Sequence, residues 1–181
     1  MLLLFLANGF EEIEAVATLD VLRRAELDVK TVGIGGRAVT GAHGVTVMAD
    51  YAQGDCPDFG ALQGVVLPGG MPGTLNLEAS PLVQSAVDEA AGRGLLVAAI
   101  CAAPSILGKK GLLRGRRAVC FDGFEGFLEG ALPGDAPVCS DENFITARGA
   151  GVAVDFGLEI VRYFLGGERA ALLRASMKCP A

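Results

Sequence analysis

Apolar or nearly apolar runs of strand length recur along this chain, separated by stretches whose apolar residues repeat with a helical period. The runs are LLLFL (2–6), VKTVGI (29–34), GVVL (64–67), GLLVAAI (94–100) and FITA (144–147), and EEIEAVATLDVLRRAEL (11–27) and PLVQSAVDEAAGR (81–93) lie between them. A strand that is apolar at every position is buried on both faces, and a helical connection returns the chain in the same direction. The alternation therefore predicts an α/β fold, a parallel sheet with helices on both faces.

The first helix has acids in its opening turn and arginines in its last, with Ile13, Val16, Ala17, Leu19 and Leu22 on one expected inward stripe. AVTGAHGVTVMA (38–49) reads as two short strands around a Gly-rich turn, an excursion from the main sheet. Ser80-Pro81 supplies a cap and first position for the helix that follows. Beyond residue 101 the expected elements are a short helix over about 102–109, a strand at RAVC (117–120), an irregular stretch 121–137, the strand FITA, and helices at 152–165 and 168–175. Neither an internal repeat nor a linker interrupts this order, so residues 1–181 read as a single domain.

Composition narrows the function classes. A chain of 181 residues buries roughly 70% of its unfolded surface on folding and needs no staples. The opening run MLLLFLA falls far short of the ~20 apolar residues that span a bilayer; without a preceding Lys or Arg it reads as the first core strand, not a leader. A net charge of −6 gives no cation excess for phosphates, which argues against nucleic acid and membrane surfaces as partners. Five cysteines without a C-x-x-C pair suit reduced thiols and a cytoplasmic location. With His43 as the single histidine, no zinc site and no other metal site is expected.

Three motifs could carry chemistry. GIGGRA (33–38) has dinucleotide-type glycine spacing, but strand instead of helix follows it, which leaves a pyrophosphate without its helix N-terminus. LPGGMPG (67–73) ends a core strand at the edge where α/β proteins place their sites; it is an ordinary turn unless a partner lies nearby. The partner is Cys101, at the seam of GLLVAAICAAPSIL (94–107). Two readings of it stand: a small buried core residue, or a nucleophile on a sharp strand-to-helix turn, made possible by its alanine neighbours and favoured as thiolate by the helix N-terminus.

AAICAAPSIL (98–107), with LPGG, the early NGFEEIEA (8–15) and the late ITARGAG (145–151), closely resembles the ThiJ/PfpI family of the class I glutamine amidotransferase-like superfamily, on its DJ-one-like branch. The motifs occur in the family's order and spacing over nearly the whole chain. The resemblance implies a flavodoxin-like three-layer αβα sandwich with a mostly parallel central sheet, usually as a homodimer, and chemistry that needs no cofactor. By position it implies Cys101 as elbow nucleophile, Glu14 as its partner acid, and the backbone N–H groups of Gly70 and Ala102 as oxyanion donors.

The chain also departs from the family. Peptidase-like branches have a histidine directly after the nucleophile; here Ala102 stands there, which argues against peptidase activity. The histidine that the DJ-one-like branch carries after the next strand is replaced within AVCFDGF, by Cys120 and Phe121. His43 stands as a possible substitute or as a surface histidine in a turn. Asp20 and Arg24 fall at positions of a family interface pair, and an ordinary solvated i,i+4 pair has the same spacing. Two function classes follow: a glyoxalase or deglycase acting on a small aldehyde such as methylglyoxal or on a glycated substrate, and an oxidative-stress protein, possible chaperone-like action included, whose Cys101 is oxidised to a sulfinate.

Overall fold

The structure is a computed structural model, and it describes residues 1–180. Strands β1 (Leu2–Leu6), β2 (Val29–Gly33), β5 (Tyr51–Ala52), β6 (Gly64–Leu67), β7 (Leu96–Ile100), β10 (Val138–Asp141) and β11 (Phe144–Ala147) form one sheet in the order β10-β11-β7-β6-β1-β2-β5. All neighbours in it are parallel except β10 and β11. Strands β3 (Ala38–Thr40) and β4 (Thr46–Met48) form the expected antiparallel excursion, while β8 (Arg117–Ala118) and β9 (Leu132–Pro133) make a second small sheet.

Helices α1 (Glu12–Arg24) and α5 (Ala153–Ser176) cover one face of the main sheet; α2 (Gly73–Glu78), α3 (Pro81–Gly92) and α4 (Pro104–Lys109) cover the other. Strand periodicity sorts the core between the two faces. Leu2, Leu4 and Leu6 of β1 and Leu96, Ala98 and Ile100 of β7 join the first core, while Leu3, Phe5, Val97 and Ala99 join the second. This is the expected three-layer sandwich, with β1 and β7 buried on both sides.

Several local expectations are corrected. On α1 the buried residues are Glu14, Ala15, Thr18, Val21 and Leu22, whereas Ile13 is 57% exposed and Val16 45%. The inward stripe is therefore rotated from the one that hydropathy alone selects. α1 also packs closely on α5: a Cβ built on Gly157 would stand 2.9 Å from the Cβ of Val21. The strand expected at RAVC is confined to Arg117–Ala118 and lies outside the main sheet. Strand β10, whose VCSD sequence has no apolar run, extends β11 as a hairpin instead of a parallel neighbour. The two helices expected at the C-terminus are, by contrast, both present as the halves of α5, which separate at Gly166 (φ 84°), a conformation that suits glycine.

Replacing Gly157 by Val is expected to destabilise the fold by about 1–3 kcal/mol through overpacking between α1 and α5. Chemical denaturation, with an unchanged m-value, checks this.

Candidate functional site

Strand β7 ends at Ile100, and the next residue turns the chain. Cys101 adopts φ 64°, a left-handed conformation that costs a non-glycine residue on the order of 1–2 kcal/mol. Hydrogen bonds on both sides hold it there: its N–H donates to the carbonyl of Ala147 at 2.8 Å, and its carbonyl accepts from the N–H of Phe121 at 2.8 Å. The buried Ala102 and Ala103 fit the turn because they carry no bulk, and Ser105 closes it by donating its hydroxyl to the Ala102 carbonyl at 2.7 Å.

Glu14 approaches from α1. It is 1% exposed, and a carboxylate is buried to that degree only beside donors or other protonatable groups. Its Oε2 accepts from the Gly69 N–H at 2.9 Å, its carboxyl lies close enough to the Cys101 thiol for each to shift the other's titration, and its Oε1 has no protein partner. Gly69 joins the two halves of the site, since its carbonyl also accepts from the N–H of Glu11 at 2.9 Å. A Cβ on Gly69 would lie 2.7 Å from Cys101 Cβ and 2.8 Å from Glu14 Oε2. Only glycine fits between them. The backbone N–H groups of Gly70 and Ala102 lie near enough to the sulfur to pull its titration down.

The electrostatics differ from the expectation of a free, low-pKa thiol at a helix N-terminus. Burial pushes the Glu14 carboxyl up to about 7, and burial together with the Glu14 charge pushes the Cys101 thiol up to about 12 against the pull of the Ala102 and Gly70 amides. Helix α4 begins only at Pro104, so its first turn does not oppose this burial. The two groups titrate as a pair and do not both carry charge at neutral pH. Two amides at the sulfur favour the thiolate and carboxylic acid form; one amide at Oε2 favours thiol and carboxylate.

The other candidates sit elsewhere. The ring of His43 is bound through Nδ1 to Glu12 Oε2 at 3.0 Å, with Glu11 Oε2 at 3.5 Å, so it meets the rim acids instead of the Cys101–Glu14 pair. These three residues offer ligand atoms within 4.8 Å of one another, and the His43–Glu12 hydrogen bonds with the Glu11–His43 contact account for the grouping. Asp20 and Arg24 pair at 2.6 Å along α1, both exposed. Among the described residues no helix is long and apolar enough to cross a membrane.

Comparison with known proteins matches residues 1–163 to the DJ-1/PfpI family. The chain belongs to that family. It is 36% identical to the Parkinson disease protein 7 homolog of Danio rerio, over 97% of this chain and 95% of that one. To the glutathione-independent glyoxalase DJR-1.2 of Caenorhabditis elegans it is 31% identical, over 93% and 90%. Among solved DJ-1 structures, a superfamily protein from Salmonella typhimurium superposes with a TM-score of 0.92 at 36% identity, covering 99% of this chain and 98% of that one. The oxidized DJ-1 of Toxoplasma gondii gives 0.89 at 30%, covering 98% and 97%.

Within this DJ-1/PfpI fold the sequence reading missed Gly69 and Gly149. Gly69 acts through its backbone, and its one signal is that LPGG has two adjacent glycines where a turn needs one with positive φ, which is Gly70 at 92°. Gly149 stands across from the unpartnered Glu14 Oε1, which would lie 3.9 Å from a Cβ built there.

Because the folded state binds the Glu14 proton more tightly than the unfolded chain, with 4.5 as the ordinary value and about 7 in the fold, stability is greatest below pH 4.5 for this group and is lost as pH rises to 7. The full loss is on the order of 3 kcal/mol. Glu14→Gln is expected to remove this decline and to melt higher than wild type above pH 7, as thermal unfolding across pH 4–8 would record.

Proposed function

We propose that the protein is a cofactor-independent glyoxalase or deglycase-type enzyme that converts small 2-oxoaldehydes to 2-hydroxy acids. One observation carries the reading: a thiol and a buried carboxyl stand together beside three backbone N–H groups, and burial pushes the carboxyl up to about 7, where a carboxyl can both give and accept a proton. The glyoxalase named among the relatives supports it. Cys101 attacks the aldehyde carbon; the C–S bond forms while the thiol proton passes to Glu14. The carbonyl electron pair becomes an oxyanion held by the N–H groups of Gly70 and Ala102, and Glu14 passes the proton on to that oxygen, which gives the thiohemiacetal and frees the carboxylate. Glu14 then takes the proton from the same carbon and returns it to the neighbouring carbon, while the hydroxyl proton passes from the first oxygen to the second, leaving a 2-hydroxy thioester. Water cleaves the C–S bond, which releases the acid and regenerates the thiol.

Methylglyoxal is the test substrate. Wild type is expected to form lactate, Cys101→Ser to form none, and Glu14→Gln to lose about 10²-fold or more in rate. Wild type at the level of the Cys101→Ser control would end this reading. A sensor reading draws support from the same amides and from the oxidized Toxoplasma relative: two equivalents of peroxide take the thiol to a sulfinate and are themselves reduced to water. Under mild peroxide, mass spectrometry should then find the sulfinate on Cys101, and oxidation spread evenly over the five cysteines would exclude it.

The protein acts as a homodimer in this proposal. Ile13 and Val16 of α1 are exposed apolar groups, and so are Val45 and Met48 on the excursion that Glu12 ties to α1 through the N–H groups of His43 and Val45. Sedimentation is expected to give a dimer at micromolar concentration and a monomer for Val16→Asp; monomeric wild type would refute the assembly.

A further inference from the structure

A cavity of about 150 Å³ lies beside the small β8–β9 sheet, between the segment 118–120 and the stretch 125–134 that folds over it. Ala118, Val119, Leu128, Ala131, Leu132 and Pro133 give it apolar walls. Its buried lining includes Cys120, a free thiol only 4% exposed. The charges that act on that thiol are those of Glu125, Arg148 and Asp122, and the first two line the same cavity, which places the sulfur on the cavity side. Neither Cys101 nor Glu14 lines it. The backbone groups of the walls are already paired: the Ala118 carbonyl accepts from the Gly134 N–H at 3.1 Å, the Leu128 carbonyl accepts from the Ala131 N–H at 3.0 Å, and the Val119 N–H donates to Thr146 Oγ1 at 3.0 Å. A buried water needs several polar partners and finds few among such walls, whereas an apolar cavity of ~150 Å³ stays dry and holds benzene. Protein interiors keep few voids larger than a water molecule, so a space of this size is a distinct feature of the fold.

We infer that this cavity is a ligand site separate from the Cys101–Glu14 pair, and that it takes a compact uncharged molecule the size of benzene, which lies against the Cys120 thiol. The volume sets the size. The exposed Glu125 and Arg148 set the neutrality: they carry opposite charges, and Asp122 stands 3.9 Å from Arg148, so no unopposed charge draws an anion or a cation. A thiol in such surroundings behaves as a small hydrophobe and completes the apolar lining. The site adjoins the elbow. Cys120 precedes Phe121, whose N–H donates to the Cys101 carbonyl, and Arg148 follows Ala147, whose carbonyl accepts from the Cys101 N–H. An occupant therefore stands next in the chain to both residues that hold the left-handed turn.

Benzene titrated into the full chain, followed by methyl and amide NMR, tests the site. Saturable shifts are expected at the methyl groups of Val119, Leu128, Ala131 and Leu132 and at the Phe121 amide, and none at Leu22 and Val161, which belong to the core on the α1–α5 face of the sheet. Cys120→Met, which lengthens a side chain of the buried lining, is expected to weaken benzene about 10-fold or more, the loss that one surplus methylene brings in a fitted apolar pocket. Ala131→Leu fills the cavity from the covering stretch and is expected to weaken benzene likewise, which keeps the test decisive where Cys120→Met folds poorly. Benzoate and benzylamine, which add a charge of either sign to the same ring, are expected to bind more weakly than benzene. Absence of saturable shifts at the cavity methyls overturns the inference. So does an affinity for benzene that is unchanged in both filled variants, or tighter binding of either charged probe.

Discussion

Burial of one carboxyl group sets the terms for the rest of the molecule. Glu14 can lie inside only because Gly69 brings a backbone N–H to 2.9 Å of its Oε2 and Cys101 shares its proton; without them it would be a buried group with no compensation. That requirement dictates the rotation of α1, the absence of a side chain at position 69 and the left-handed turn at 101. Local departures from hydrophobic patterning and from ordinary backbone geometry thus converge on one point of the fold. The same desolvation that destabilises the carboxylate moves its titration up toward neutrality, to about 7.

The sheet was legible because β1, β6 and β7 are apolar at every position or nearly so, and a strand buried on both faces has few alternatives. Cys101 and Glu14 were legible through motif and position. The face of α1 was not, since a hydropathy stripe assumes that acids point outward, and here Glu14 and Thr18 point inward while Ile13 and Val16 face solvent. Strand β10 escaped for a related reason: as an edge strand its burial is partial and its polar residues carry no alternation. Gly69 escaped because a residue that acts through backbone groups leaves no chemical signature of its own. The upward push on the thiol has no signal in the sequence, since burial and then the charge of Glu14, 87 positions earlier, act on it only in the fold.

The sandwich places its chemistry where parallel sheets generally place theirs, at the carboxyl ends of the central strands. Loops after β6 and β7 supply Gly69, Gly70, Cys101 and Ala102, and the loop after β11 supplies Gly149. Each follows a strand fixed in register by its neighbours, so the relative positions of the groups come from the sheet and not from the loops. His43, on the separate excursion, lacks that support and binds the acids next to it.

The ends of the main sheet bear on how copies of the chain can meet. At one margin β5 contributes only two residues, Tyr51 and Ala52. At the other, β8 lies alongside β10, and the N–H of Arg117 donates to the Asp141 carboxylate at 2.8 Å. Neither margin offers a long row of open peptide groups, so growth by adding strands from a second molecule, the route that turns open sheets into fibrils, is blunted at both ends.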